Sequence, residues 1–229
     1  SVLEEGDSES SLKTLIKNGV LESYTQLVDR IPEEAAEREA SALSEAQQVA
    51  MDQIKGHFES KQTVLLQGIT GAGKTEIYIK LIQEALGSGS QVLLLLPEIA
   101  LTTQLVGRLK QVFGSSMGVY HSKYSDNERV EVWNGVLNGR FSFVVGVRSS
   151  LFLPFDSLGL VIVDEEHEPS YKQFDPAPRY HARDAAIMLA YVHQARTLLG
   201  SATPSFESYF NAAQGKYGLV KLSERFGKA

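Results

Sequence analysis

The sequence contains no cysteine among its 229 residues, and no apolar run approaches the length of a membrane span. The missing cysteines exclude a disulfide framework and a thiolate zinc site in this chain, and they are typical of a reducing compartment such as the cytoplasm. Because a membrane-spanning helix needs about 20 apolar residues, we expect no membrane segment. The first residues, Ser1 to Glu5, end in two glutamates and do not resemble a signal peptide.

Basic residues are outnumbered by acidic ones. The chain has 22 Lys and Arg against 28 Asp and Glu, which gives a formal net charge of −6. Nucleic-acid modules are usually basic, so this count argues against a large nucleic-acid footprint and leaves a local one open. With 43% apolar residues, a chain of this length can bury one large domain, with or without a small appendage.

A glycine-rich stretch at residues 67–75 has the spacing Gly-x-x-x-x-Gly-Lys-Thr, between an apolar run and a helical pattern. Backbone N–H groups of such a loop, at the start of a helix, can surround the phosphates of a triphosphate, and glycines let the backbone approach closely. Lys74 would reach the β- and γ-phosphates, and the Thr75 hydroxyl would bind Mg²⁺. The stretch predicts an ATP–Mg²⁺ site. Its predicted nucleotide contacts are Gly68, Thr70, Gly71, Ala72, Gly73, Lys74 and Thr75.

An apolar strand predicted at 160–163 runs directly into Asp164, Glu165, Glu166 and His167. In a parallel sheet these side chains would lie on the same edge as the glycine-rich loop. We expect Asp164 to hold Mg²⁺ through water and Glu165 to orient and deprotonate an attacking water. The alternative is a solvated acidic loop. The predicted catalytic residues are Glu165, Lys74 and Asp164, and the predicted metal ligands are Thr75 and Asp164.

Two further residue sets have open alternatives. Ser201 and Thr203 follow another predicted strand. Together with His167, they could report the state of the γ-phosphate to another surface. The alternative is a helix N-cap, because Thr203 before Pro204 is a good helix start. Gln47 follows Ser44 by three residues, which favours a capping box. The alternative is that the Gln47 amide contacts the adenine of a nucleotide.

Short strands and helices alternate along the chain, which predicts an α/β fold, a three-layer sandwich with a mainly parallel sheet. The predicted strands are 63–66, 91–96, 117–120, 141–147, 160–163 and 197–199. The predicted helices are 44–58, 76–86, 101–113, 126–137, 182–194 and 206–214. Near the N-terminus, residues 8–22 predict a short helix and 23–42 a polar linker. Since the first residue is not Met, we expect the chain to be a piece of a longer protein.

The glycine-rich loop, the Asp-Glu-Glu-His run and the Ser-Ala-Thr stretch resemble motifs I, II and III of the superfamily 2 helicases in order and spacing. Four further stretches narrow the resemblance: 96–102, 120–122, 146–155 and 170–184. Together they are similar to the PriA family of replication-restart DNA helicases. The resemblance covers about residues 43–229, which would form a RecA-like P-loop NTPase lobe, the first motor lobe. Residues 1–42 would be a winged-helix tail and linker.

The resemblance implies ATP-driven 3′→5′ translocation and unwinding of DNA at stalled forks, in replication restart and primosome assembly. It implies a monomer of the bacterial cytosol that binds forked and single-stranded DNA, single-stranded-DNA-binding protein and primosome proteins. The family's second motor lobe and its cysteine-rich zinc region are not in this chain. We therefore expect Mg-ATP binding with negligible turnover here, and zinc only in the longer protein.

The family also has an aromatic-rich loop that couples DNA binding to ATP hydrolysis, and here it would span residues 168–183. Its aromatic faces suit stacking on unpaired bases, and its basic residues suit phosphate contacts. The predicted DNA-binding residues are Tyr171, Lys172, Phe174, Arg179, Tyr180, His181 and Arg183. The alternative is that the aromatics pack on the core. Residues 175–178, Asp-Pro-Ala-Pro, make the loop stiffer and less aromatic than in some relatives, so the stacking residue stays open.

Two other functions remain as alternatives to the DNA helicase. One is an RNA helicase or a double-stranded DNA translocase with the same motor, which the four additional stretches disfavour. The other is a nucleotide-dependent interaction module that never hydrolyses ATP, which the complete set of catalytic residues disfavours.

Overall fold

A computed structural model describes residues 14–18, 20, 42–121 and 124–223. The chain divides into two compact units, residues 1–32 and 33–229. In the first unit, residues 14–17 are helical, as part of the predicted helix 8–22. The rest of that helix, the predicted winged-helix tail and almost all of the polar linker lie outside the described residues.

The described part of the second unit alternates strands and helices, as predicted. Its helices are α1 Glu45–Phe58, α2 Lys74–Gly87, α3 Thr103–Phe113, α4 Asp126–Leu137, α5 Ala182–Val192 and α6 Phe206–Ala213. Its strands are β1 Thr63–Gly68, β2 Gln91–Leu95, β3 Met117–Tyr120, β4 Phe143–Gly146, β5 Leu158–Val163, β6 Arg196–Ser201 and β7 Gly218–Leu222. Short 3₁₀ turns lie at Gly114–Ser116, Arg148–Phe152 and Pro169–Tyr171. Within these described ranges, no helix is long and apolar enough to cross a bilayer.

The seven strands form one parallel sheet in the order β3-β4-β2-β5-β6-β1-β7. All carboxyl ends therefore meet at one edge. Strands β5, β6 and β1 are consecutive neighbours, with Val163 opposite Leu199 and Ser201 opposite Gln67. The three motif-bearing loops thus leave the same edge side by side.

Burial on both faces of the sheet explains the continuous apolar runs of the central strands. Val64 and Leu66 of β1 join a core cluster under α1, α2 and α3, to which Ile54, Ile77 and Leu109 contribute. Helices α5 and α6 pack on the sheet as well, over β5–β6 and β1–β7 respectively. Helices on both faces give the predicted three-layer α/β sandwich, so the fold class is confirmed.

Several element bounds differ from the prediction by one or two residues, and three differences have a structural explanation or bear on the functional edge. Strand β7 was not predicted, although its buried Gly218, Val220 and Leu222 alternate with more exposed residues, a period-two signal that the sequence does contain. The strand predicted at 141–147 is shorter, because Phe141 turns inward against Gly118 and Gly135. Strand β6 extends to Ser201, which carries its last residues further toward the functional edge.

Candidate nucleotide and coupling site

The glycine-rich loop has the backbone that its spacing requires. Gly71 and Gly73 have φ angles of +79° and +78°, in the left-handed region that favours glycine. Ala72 between them is buried, and its N–H donates to Ile69 O at 3.0 Å. Helix α2 begins directly after Gly73, so the loop presents the free N–H groups of a helix start, which suit an anion.

Lys74 is folded into this loop. Its ammonium donates to Gly68 O at 3.1 Å and lies 3.4 Å from Glu165 Oε1, with only 9% of the residue exposed. A Cβ on Gly68 would come within 3.0 Å of the Lys74 side chain, so glycine there leaves room for the lysine. The structure therefore brings the predicted phosphate-binding lysine and the predicted water-orienting carboxylate together.

Gln47 supports the loop from helix α1. Its amide oxygen accepts from Ser44 N at 2.8 Å, which confirms the capping box. Its Nε2 donates to Ala72 O at 3.2 Å and Gly73 O at 3.3 Å, and the residue is 1% exposed. The amide serves the helix cap and the loop at once. Both ends of the amide have partners within the protein in this structure, and a direct nucleotide contact of Gln47 stays a prediction.

Asp164 lies at the end of β5 in a largely buried position. Tyr78 of α2 donates its hydroxyl to Asp164 Oδ1 at 2.8 Å. Burial raises the pKa of Asp164 above its ordinary value, while the Tyr78 hydrogen bond and the charge of Lys74 act in the opposite direction. A Cβ on Gly200 of β6 would overlap the Tyr78 hydroxyl, so this contact requires a glycine between them. Sequence reasoning missed Tyr78 and Gly200.

Glu165 has a φ angle of +46°, which is uncommon for a residue with a side chain and places it in the left-handed region. Its two carboxylate oxygens face different partners: Oε1 faces Lys74 Nζ, and Oε2 lies 3.7 Å from His167 Nδ1. The side chain is about one-third exposed, at 33%. A partly exposed carboxylate in this position can receive a proton from water.

His167 links this loop to the end of β6. Its Nδ1 lies 2.8 Å from Ser201 Oγ, and its Nε2 lies 3.4 Å from Thr203 Oγ1. The structure thus brings the three predicted coupling residues together. The alternative helix cap at Thr203 is wrong, because helix α6 is capped by Ser205, whose Oγ accepts from Ser208 N at 3.3 Å.

Glu166 points away from the nucleotide site into the interior and is 0% exposed. Its Oε1 accepts from Ser205 N at 2.7 Å. Its Oε2 accepts from Ser205 Oγ at 2.9 Å, Ser208 Oγ at 2.8 Å and Arg183 Nη1 at 3.2 Å. Sequence reasoning assigned no role to this carboxylate, and its partners lie too far away in sequence for spacing to reveal them.

Two of the predicted DNA-binding residues are buried in this structure, and their DNA contacts stay predictions. Tyr171 is 1% exposed, and its hydroxyl donates to Leu95 O at 3.1 Å and Asp164 O at 2.7 Å, so no ring face is open to a base. Arg183 is 7% exposed, and its guanidinium donates to Glu166, Ser205 and Asp184.

The other five candidates lie on the more exposed part of the loop. Phe174 is 70% exposed, and Arg179 is exposed as well. Tyr180 and His181 are half-buried, and burial lowers the pKa of His181. Lys172 forms an antiparallel bridge with His181, which closes the loop into a hairpin-like unit.

Arg148 anchors the loop to the neighbouring 3₁₀ turn. Its Nη1 donates to Ser170 O at 3.0 Å and Lys172 O at 3.3 Å. The Tyr180 ring packs edge-on against Phe152 with centroids 5.3 Å apart. Sequence reasoning gave Arg148 no role, although it belongs to the family-like stretch 146–155.

The predicted metal ligands have the right chemistry for Mg²⁺. Thr75 and Asp164 offer one hydroxyl and one carboxylate at the functional edge. Mg²⁺ commonly takes one or two protein oxygens and completes its shell with phosphate oxygens and water. Among the described residues, no group of three or more His, Asp and Glu side chains is placed to hold a metal by itself.

Comparisons with known proteins identify the family. The family model described as DEAD/DEAH box helicase matches residues 44–211. The replication restart protein PriA of Chlamydia pneumoniae is 49% identical over 82% of this chain and 25% of its own length. PriA of Bacillus subtilis strain 168 is 42% identical over 95% of this chain and 28% of its own length. The chain thus spans about a quarter of these relatives.

A solved structure of RecG bound to a three-way DNA junction is similar in fold. It has a TM-score of 0.60 and 21% identity, and the likeness covers 97% of this chain and 26% of that one. The likeness confirms the α/β fold, and the curated relatives confirm the resemblance to PriA. The chain therefore belongs to the DEAD/DEAH box helicase family.

Proposed function

We propose that this chain is the ATP-binding first motor lobe of a DNA helicase that acts in replication restart at stalled forks. One observation carries the proposal: Lys74 and Glu165 meet at 3.4 Å at the carboxyl edge of a helicase-type sheet. Lys74 lies between the loop and the carboxylate, where its ammonium would pair with a γ-phosphate.

The residues divide the work of phosphoryl transfer. The N–H groups of the loop and the Lys74 ammonium bind and orient the phosphates, and Thr75 and Asp164 would hold Mg²⁺, which neutralises phosphate charge when bound. Glu165 orients the attacking water and accepts its proton. His167 lies 3.7 Å from Glu165 Oε2 and is hydrogen-bonded to Ser201 and Thr203, so it would connect the loop after β5 to the end of β6.

The DNA side of the proposal uses the exposed part of the loop 168–183. Phe174 supplies the most open aromatic face, and Lys172 and Arg179 supply positive charge close to it. Tyr180 and His181 fill the base of the loop. The hydrogen bonds of Arg148 fix this loop to the turn after β4, and the Tyr171 hydroxyl ties it to the Asp164 backbone, so a bound DNA strand and a bound nucleotide would contact adjoining segments of one chain.

The remaining properties come from the resemblance to PriA. We propose 3′→5′ movement, single-stranded-DNA-binding protein and primosome proteins as partners, a monomeric state, zinc in the longer protein, and a location in the bacterial cytosol. We also propose that the chain alone turns over ATP negligibly, because in the family a second lobe supplies an arginine to the ATP site.

The test is steady-state ATP turnover by the full-length protein that carries this sequence. It is measured without nucleic acid, with forked DNA, and with an RNA duplex bearing a single-stranded tail. We expect strong stimulation by forked DNA only. Lys74→Ala should abolish nucleotide binding, whereas Glu165→Gln should keep binding and remove turnover.

Glu84→Gln is the matched control, because Glu84 pairs with Lys55 on an exposed surface at 3.0 Å. It should behave as the wild type. Equal or greater stimulation by RNA would overturn the DNA-helicase proposal, and turnover that survives Glu165→Gln would overturn the role of Glu165. Robust DNA-stimulated turnover by the 229-residue chain alone would refute the need for a second lobe.

A further inference from the structure

We propose that Glu166 is a positioning residue that couples the aromatic loop to the water-orienting Glu165. This inference rests on the proposed function. It is carried by the contacts of one buried carboxylate that joins three segments: the loop after β5, the start of α5 and the start of α6.

The side chains of Glu165 and Glu166 point in opposite directions. Glu165 and Glu166 are adjacent, yet Glu165 faces Lys74 while Glu166 is fully buried on the other side. The left-handed φ of Glu165 allows this reversal. The backbone N–H of Glu166 also donates to Gly200 O at 3.1 Å, so a shift of Glu166 moves Glu165 relative to β6.

Arg183 connects Glu166 to the aromatic loop. Arg183 lies at the C-terminal end of the segment 168–183, and its guanidinium is 3.2 Å from Glu166 Oε2. The same guanidinium donates to Ser205 Oγ at 2.7 Å. A displacement of the loop end by bound DNA would therefore act on Glu166 and on the cap of α6 together.

Positions in which the Glu166 carboxylate loses a hydrogen-bond partner are energetically unfavourable. A buried carboxylate that loses a partner remains desolvated and unpaired, so intermediate positions of this network are unfavourable. Four donors converge on Glu166, which gives it a narrow choice of positions. A fully satisfied buried network of this kind is rigid, so the three segments that it joins should move together.

Glu166→Gln tests the inference with almost no change of shape. If the amide oxygen accepts from Ser205 N, the amide NH₂ faces the Arg183 guanidinium, donor against donor. If the amide flips, Ser205 N loses its acceptor. Either way the variant breaks one arm of the network, and Arg183→Gln breaks the same ion pair from the other side.

The assay is ATP turnover by the full-length protein with and without forked DNA. We expect both variants to lower the ratio of DNA-stimulated to basal kcat about tenfold, within the usual range of coupling between sites. The KM for ATP should change less than threefold, because Glu166 contacts none of the loop 68–75. A purely structural role would lower basal and stimulated turnover alike and leave the ratio unchanged.

Glu131→Gln is the matched control. Glu131 is a half-buried carboxylate 3.8 Å from Arg140, on helix α4 over the edge strand β3. It should keep the wild-type ratio. If Glu166→Gln does not fold, Ser208→Ala removes a single donor to the carboxylate and should lower the ratio in the same direction by a smaller factor.

The outcomes separate the two proposals. Wild-type protein that DNA does not stimulate overturns the proposed function. A stimulated wild type with an unchanged ratio in Glu166→Gln and Arg183→Gln overturns the coupling role alone. A fall in Glu131→Gln as large as in Glu166→Gln also overturns it, because any lost carboxylate would then have the same effect.

Discussion

Replacing Tyr78 by Phe should destabilise the chain in a way that depends on the ionisation of Asp164. The Tyr78 hydroxyl donates to Asp164 Oδ1 at 2.8 Å in a buried position. Hydrogen bonds to charged groups contribute about 1.5–3 kcal/mol to the free energy of unfolding. For a domain of this size that corresponds to a fall in Tm of about 3–12 °C at neutral pH.

The stability loss of Tyr78→Phe should depend on pH through the pKa of Asp164. Burial raises the pKa of Asp164, and the Tyr78 hydrogen bond lowers it. Removing the hydroxyl therefore raises the pKa of Asp164 further. The loss of stability should be largest at pH values where Asp164 is ionised in both folded proteins, and it should shrink as the pH falls from the higher pKa of Asp164 in the variant to its pKa in the wild type.

The assay is thermal unfolding of wild type and Tyr78→Phe by circular dichroism over a series of pH values. Tyr191→Phe is the control, because Tyr191 is 67% exposed, and it should stay within about 0.5 kcal/mol of the wild type. A Tyr78→Phe deficit that is the same at every pH, or no deficit, would refute the argument that this hydroxyl stabilises the carboxylate.

Three further predictions follow from the same contacts. Asp164→Asn should abolish turnover yet raise Tm at neutral pH, by about 2–4 °C for each kcal/mol gained in the free energy of unfolding. The reason is that a carboxylate whose pKa is raised by burial opposes folding when it is ionised. The gain in Tm should vanish at acid pH in the same unfolding series. Gly200→Ala should cost about 1–3 kcal/mol in denaturant unfolding, whereas Gly107→Ala, with no atom within 4 Å of the added Cβ, should stabilise by about 0.5–1 kcal/mol. Phe174→Ala should weaken single-stranded DNA binding by the full-length protein about 5- to 150-fold in fluorescence anisotropy, and Phe210→Ala should leave it unchanged.

The glycine-rich loop could be predicted from sequence because its backbone requirements are local. Positive φ angles at Gly71 and Gly73 and room for Lys74 beside Gly68 are local requirements, and each selects glycine. The parallel sheet was equally accessible, since its central strands are apolar on both faces. Local signals of this kind can be recognised in the sequence without knowledge of the tertiary structure.

The missed features depend on long-range contacts. Three consecutive carboxylates look alike in the sequence, and only the φ of Glu165 decides that Glu166 turns inward. Tyr171 looks like a loop aromatic, yet its hydroxyl reaches two buried carbonyl groups. The partners of Glu166 lie up to 42 residues away. Neither periodicity nor motif spacing contains these pairings.

The sheet order explains why the end of β6 consists of small residues. Strands β5 and β1 carry Asp164 and the phosphate loop, and β6 lies between them, so two strand spacings of about 4.8 Å separate the motifs. Tyr78 and Lys74 must reach across β6 to contact Asp164 and Glu165. A side chain at Gly200 would occupy the place of the Tyr78 hydroxyl. The end of β6 therefore needs small residues that leave space for the Tyr78 and Lys74 side chains. The Gly-Ser-Ala-Thr stretch thus has a structural role in assembling the site, in addition to its hydrogen bonds to His167.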